Sequence, residues 1–253
     1  MAKIICITNQ KGGVGKTTTT VNLASCLAAI EKKTLLVDMD PQGNSTSGVG
    51  LNKQECDPNI YQVLMGEADL LSAIKATEMK KLFCLPANGN LTGAEVELVS
   101  LEDRETRLKK ALAAVEDDFD YILIDCPPSL GFLTLNSLTA AHSVLIPVQS
   151  EYYALEGLSS LMETVDRVRE HLNPNLKIEG ALLTMYDSRT KLAVQVSEEV
   201  RKFFGEKVYN TVIPRNVQLS ESPSFGKPII LYDIRSSGAQ AYLNLTKEIV
   251  AHG

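Results

Sequence analysis

Ile4-Ile5-Cys6-Ile7-Thr8-Asn9-Gln10-Lys11-Gly12-Gly13-Val14-Gly15-Lys16-Thr17 passes from an apolar, strand-like run through a glycine-rich turn into a segment of helical pattern. Such a turn lets main-chain N–H groups close on phosphate oxygens, while the lysine reaches the outer phosphates and the following hydroxyl suits Mg2+. The usual form is GxxxxGK followed by Ser or Thr. Here the first glycine position holds Gln10 and Lys11 stands beside it, giving the variant KGGxGKT. With a strand before it and a helix from Thr17 to Ile30 after it, the stretch reads as a nucleotide-phosphate site. Its contacts are Gly12, Gly13, Val14, Gly15, Lys16, Thr17 and Thr18. Lys11 has two readings at this point, a solvated surface charge or a member of the site, because spacing does not say where its ammonium goes.

Outward from this loop, apolar runs of strand length alternate with helical segments, the pattern of a mostly parallel sheet with helices on both faces. Strands are predicted at Lys3–Thr8, Thr34–Asp38, Leu82–Leu85, Tyr121–Asp125, Ser143–Val148, Ile178–Met185 and a short Lys207–Thr211. The clearest helix is Ala154–Leu172, where Leu155, Leu158, Leu161, Val165 and Val168 recur at helical period before the stop at Asn173-Pro174. A last helix is predicted at Gly238–Ala251. Asp40–Gly50 reads as the longest loop and Pro86–Asn90 as a second. No repeat, low-complexity tract or linker interrupts the chain, so residues 1–253 read as one α/β domain of the P-loop NTPase class.

Two further segments supply carboxylates. Leu35-Leu36-Val37-Asp38-Met39-Asp40 ends a buried strand with two acids, at the sheet edge where open α/β folds bind ligands. Such a pair can be a solvated turn; behind a phosphate loop it reads as facing the metal and the attacking water. Tyr121-Ile122-Leu123-Ile124-Asp125-Cys126-Pro127-Pro128 is an apolar strand ending in an acid, the arrangement that holds Mg2+ through water. Cys126 reads as a buried thiol, since none of the three histidines, His142, His171 and His252, lies nearby in sequence to activate it.

Composition narrows the class. The 253 residues carry a formal net charge of -6, which argues against coating nucleic acid over the whole surface. From Asp187 onward nine basic residues face seven acidic ones, and the first 186 residues hold sixteen against twenty-four. A polyanion site therefore belongs in the C-terminal third. Five scattered cysteines without a CxxC pair suit buried thiols in a reducing cytoplasm. No signal-peptide pattern or apolar run of spanning length is visible, so a cytoplasmic protein is expected.

The KGGxGKT loop resembles that of the ParA/MinD group of ATPases. The later segments Asp187-Ser188-Arg189-Thr190, Val212-Ile213-Pro214-Arg215-Asn216, Leu219-Ser220-Glu221-Ser222-Pro223-Ser224 and Gly226-Lys227-Pro228-Ile229 are similar to the chromosomal, Soj-type ParA proteins. The resemblance implies ATP and Mg2+ as cofactors and a homodimer in which Lys11 reaches the partner's phosphates. It implies Lys11, Lys16 and Asp40 as the catalytic set, with Asp40 orienting water and Thr17, Asp38 and Asp125 serving the metal. Pro214, Arg215 and Asn216 fall where the family's adenine loop runs, although spacing alone makes them an ordinary connection. Arg189 corresponds to the family's DNA-binding arginine. Lys191, Arg201, Lys202, Arg215, Lys227, Arg235 and Lys247 are candidates for the same surface, each of which taken singly reads as a solvated charge. Gln218 departs from the pattern, where relatives often carry a basic residue. The implied partners are non-specific duplex DNA of the nucleoid and a ParB-like centromere-binding protein that stimulates slow ATP hydrolysis.

Two rival readings share the loop. A MinD-like membrane ATPase would need a basic amphipathic tail, and Leu243–Gly253 offers one lysine offset by a glutamate, so no membrane-targeting helix is expected. A metabolic P-loop enzyme would need an acceptor pocket, for which no residues stand out. The chain starts almost at its first strand, so no N-terminal helix-turn-helix domain is expected either.

Overall fold

The computed structural model describes residues 1–151 and 154–251, without the side chains of 154–156; Leu155 as a core side chain and His252 lie outside the described residues. One seven-stranded sheet organises the chain: β1 (Lys3–Ile7), β2 (Thr34–Asp38), β3 (Lys75–Ala76), β4 (Leu82–Leu85), β5 (Tyr121–Asp125), β6 (Ser143–Gln149) and β7 (Lys177–Thr184). Their order is β3-β4-β2-β5-β1-β6-β7. Every pairing is parallel except β3 with β4.

Strand alternation divides the apolar residues between two cores, because successive side chains point to opposite faces. Ile4, Cys6, Leu35, Val37, Ile122, Ile124, Val144 and Ile146 join the core beneath the helices Phe132–Ala140, Ala154–His171 and Lys191–Phe204. Ile5, Ile7, Leu36, Leu123, Leu145 and Leu182 join the other, beneath Lys16–Ala29 and Ser237–Ala251. Helices thus cover both faces, as a parallel sheet requires. The central strands β1, β2 and β5 end together at Ile7, Asp38 and Asp125, so the phosphate loop and both carboxylates emerge at one edge.

Three expectations are corrected. The predicted strand Lys207–Thr211 is absent; the chain from Val208 to Pro214 runs beside the end of β7 through two isolated bridges, Ala181 with Val208 and Tyr186 with Pro214, and a 2.8 Å bond from the Ile213 amide to the Leu183 carbonyl. Between the bridges the chain advances five residues from Ala181 to Tyr186 but six from Val208 to Pro214, and Pro214 has no N–H to extend a ladder. The predicted strand Ile178–Met185 ends one residue early, because Met185 adopts φ 49°. The expected loop Asp40–Gly50 contains a short helix, Asn44–Gly48, entered through Gly43 at φ 60°. The edge pair β3, of two residues, was not legible as a strand.

Candidate functional site

The helix Lys16–Ala29 begins on Gly15 at φ 91°, with no side chain capping it and no acid in its first turn. Its first N–H groups therefore lack helical partners, and they add to the positive end of the helix dipole. A methyl group added at Gly12 or Gly13 would meet nothing within 4 Å, and Gly13 sits at φ 74°. This open, amide-lined turn fits a phosphate chain. The Val14 carbonyl accepts a 2.8 Å bond from the Thr184 hydroxyl, which ties the loop to the end of β7.

The two loop lysines point in different directions. Lys16 is buried, and its ammonium donates to the Lys11 carbonyl at 3.3 Å. Burial lowers its pKa, opposed by Asp125, Cys126 and Asp40. An anion beside this ammonium would relieve the cost of its burial. The Lys11 side chain instead leaves the loop and pairs with Glu151 at 3.2 Å.

Asp38 and Asp125 lie opposite each other in register and are fully buried. Asp38 Oδ2 accepts from the Thr46 amide and hydroxyl, both at 2.8 Å, and Oδ1 accepts from the Asp40 amide at 3.1 Å. Asp125 Oδ2 accepts from Ser45 at 2.7 Å and Oδ1 from Thr20 at 3.3 Å. Burial, reinforced by the Asp125 charge, raises the Asp38 carboxyl to about 7. Burial also raises Asp125 to about 6, against the pull of the Ser45 and Thr17 hydroxyls. Two carboxyls held above their ordinary range, beside the Thr17 hydroxyl, form a place that favours a cation. The oxygens of Asp38 are taken by the Thr46 and Asp40 donors. Among the described residues no cluster of three or more His, Cys, Asp or Glu forms an all-protein cage.

Above these groups lies a cavity of about 530 Å3, lined by Gly12, Gly13, Gly15, Lys16, Thr17, Thr18 and Asp40 on one side and by Pro214, Arg215 and Asn216 on the other. Ile213, Leu219, Pro223 and Tyr242 give it an apolar wall suited to a flat base. Two predicted contacts behave otherwise: Val14 is buried outside the lining, and the Asn216 side chain is engaged in capping Leu219 and in a 3.0 Å bond to Ser237. Half-buried Asp40 accepts from Gln42 and reaches the cavity wall. Sequence reading missed Ser45, Thr46 and Thr184. The polar run Gly43-Asn44-Ser45-Thr46 was a signal for the first two.

The predicted basic surface is only partly gathered. Arg189 forms a two-bond pair with Asp187 at 2.8 and 2.7 Å, which holds that carboxyl down at about 2. Arg215 adds to the same field, and Lys191 opens the neighbouring helix. Lys191 and Lys202 share a helix face by their spacing, but Glu198 falls between them and Lys202 pairs with Glu199. Exposed Arg201 lies on the last turn, Lys227 borders a groove beside Thr18, and Arg235 is exposed. Lys247 belongs to the helix on the opposite face of the sheet.

All five cysteines are buried and free; Cys6 and Cys126 approach to 3.2 Å, and burial pushes the Cys6 thiol up. They pack as the sequence predicts. Among the described residues no helix is long and apolar enough to cross a membrane.

The family model described as "AAA domain" matches residues 2–178. The Sporulation initiation inhibitor protein Soj of Bacillus subtilis is 62% identical over 253 residues, covering 100% of both chains. The Chromosome partitioning protein ParA of Myxococcus xanthus is 57% identical over 250 residues, covering 99% of this chain and 88% of its own. A solved structure described as cobyrinic acid a,c-diamide synthase from Mycobacterium smegmatis, with bound ADP and magnesium, superposes with a TM-score of 0.88 at 38% identity, over 100% of this chain and 95% of that one.

Proposed function

The chain belongs to the Soj/ParA family of chromosome-partitioning ATPases, and on that premise we propose that it is an ATP-driven DNA-partition switch. In this reading two subunits close face to face around ATP and bind duplex DNA without sequence preference. A ParB-like partner then triggers hydrolysis, which parts the subunits and releases the nucleoid. The observation that carries the reading is the divergence of the two loop lysines: Lys16 turns into its own cavity, and Lys11 turns out of it.

The geometry supports a role for each residue. The amides from Gly12 to Thr18, with Lys16, would cradle the phosphates of ATP. Thr17 and Asp125 would hold Mg2+, with Asp38 fixing the surrounding hydrogen bonds, and that ion would supply neutralisation of phosphate charge. Asp40 faces the cavity where an attacking water would stand, and its main chain is anchored on Asp38. Pro214 and Arg215, with main-chain groups of Asn216, would border the adenine. Lys11 would complete the partner's site, which makes the nucleotide part of the interface. Arg189, Lys191 and Arg215, near the end of β7, would form the nucleus of the DNA surface, with Arg201, Lys202, Lys227 and Arg235 as further contacts; Lys247, on the opposite face of the sheet, stands apart from it.

The diamide synthase description of the Mycobacterium smegmatis structure raises the metabolic alternative. A synthase needs an acceptor pocket beyond the phosphates, whereas the cavity wall opposite the loop is the apolar surface of Ile213, Leu219 and Tyr242. ATP hydrolysis measured with and without non-specific duplex DNA and the cognate ParB-like protein separates the two. Stimulation by DNA and partner together supports partition; turnover that depends on a small acid acceptor contradicts it.

A further inference from the structure

Lys11 is held in its outward direction by a defined set of contacts. Its amide donates to Asn9 Oδ1 at 3.0 Å, and Asn9 is itself buried and donates to the Pro147 carbonyl at 2.8 Å. Its carbonyl accepts from Lys16. The main chain is thus fixed on both sides, and only the side-chain torsions decide where the ammonium goes. Glu151, just beyond the end of β6, settles them: Oε2 lies 3.2 Å from Lys11 Nζ, while Oε1 accepts from Gln149 at 2.5 Å. The neighbouring cavity, of about 230 Å3, brings Asp187 and Arg215 to the same wall, and Asp187 is occupied by Arg189. Glu151 is left as the carboxylate that Lys11 meets.

We propose that Glu151 is a positioning residue that stores the Lys11 ammonium outside its own nucleotide cavity, so that release of Lys11 from Glu151 is a step of subunit closure. This rests on the reading that Lys11 crosses between subunits. Both side chains are partly exposed, 32% for Lys11 and 48% for Glu151, so the pair is screened by water. An exposed pair of this kind biases an equilibrium by about 1.5- to 5-fold. That is enough to bias a flexible lysine towards Glu151, and weak enough to yield to a triphosphate presented by the partner, which offers several charged acceptors at once. Two pairs break for each dimer formed, so the store sets a threshold for closure.

The test is the dimer dissociation constant of the full chain with a slowly hydrolysed ATP analogue and Mg2+, measured by sedimentation for the parent, Glu151→Gln and Glu151→Asp. Loss of the charge in Glu151→Gln should tighten the dimer by about 2- to 25-fold, two pairs at the magnitude above. Glu151→Asp, which keeps the charge, should stay within about twofold of the parent, within the range of one such pair. ADP affinity reports that each variant retains its fold. A Glu151→Gln dimer that is unchanged or weaker overturns the inference, and so does equal tightening in Glu151→Asp, which would assign the effect to packing. A parent chain that stays monomeric with the analogue overturns the sandwich reading itself.

Discussion

Chemistry in this protein is set by a few buried polar side chains whose partners come from distant positions. Asp40 alone of the three carboxylates reaches the cavity wall. Asp40→Ala should therefore bind ATP with affinity near the parent and lose hydrolysis by about a hundredfold or more, the scale of a lost water-orienting group; nucleotide titration and phosphate release measure the two separately. Asp38 and Asp125 give a pH prediction. A carboxyl whose pKa is raised by folding holds its proton more tightly folded than unfolded. Its effect on stability is absent below the unfolded value near 3.8, and the loss grows as pH rises towards about 7 for Asp38 and about 6 for Asp125. The nucleotide-free chain should lose melting temperature between about pH 4 and pH 7 and level off above it, and Asp38→Asn should flatten that slope; parallel slopes in the two proteins would contradict the assignment. The phosphate loop and the three acids were legible because motif and strand ends are local signals. Ser45 was not, because its carboxylate partner Asp125 lies 80 positions away and meets it only through the fold.

Elements were legible where a residue's surroundings repeat. Alternation in β1, β2, β5 and β6 matches the division into two cores, since each strand is buried on both faces. The segment after residue 207 shows the opposite case: it is apolar enough for a strand, yet Tyr209 packs over Gly180 so closely that a methyl group there would lie 2.6 Å from the ring. Contact of that kind, together with the extra residue before Pro214, replaces a ladder by two bridges. The helix Phe132–Ala140, just after the Asp125 loop, carries a further prediction. Its first amides at Phe132 and Leu133 donate to Glu95 Oε2 and Oε1 at 2.7 and 3.3 Å, and a methyl group at Gly131 would collide with that carboxylate. Gly131→Ala and Glu95→Ala should each destabilise the chain by about 1–3 kcal/mol, the range for bonds to a charged acceptor. The double variant should cost little more than either, because both remove the same cap; additive losses in urea unfolding would refute this.

At the scale of the whole molecule, one sheet edge gathers the phosphate loop, the two carboxylates and the base-sized wall, while the basic residues spread around the β7 edge and over both faces. The nucleotide site was legible as a unit because its parts sit at the ends of adjacent central strands. The proposed DNA surface was legible only as a list of charges, because Glu198 and Glu199 share the helix that carries Lys191 and Lys202. On the proposed reading, a monomer of net charge -6 with Arg189 paired to Asp187 would hold DNA weakly, and closure would double the surface offered. In the proposed reading ATP joins two subunits through Lys11. This is tested most directly by the mass in solution of the parent and of Lys11→Ala, each with ADP and with a slowly hydrolysed ATP analogue. The 27.6 kDa parent should double in mass with the analogue only, and Lys11→Ala should bind the analogue and stay monomeric. A parent whose mass ignores the nucleotide, or a Lys11→Ala chain that doubles as readily as the parent, would contradict that reading.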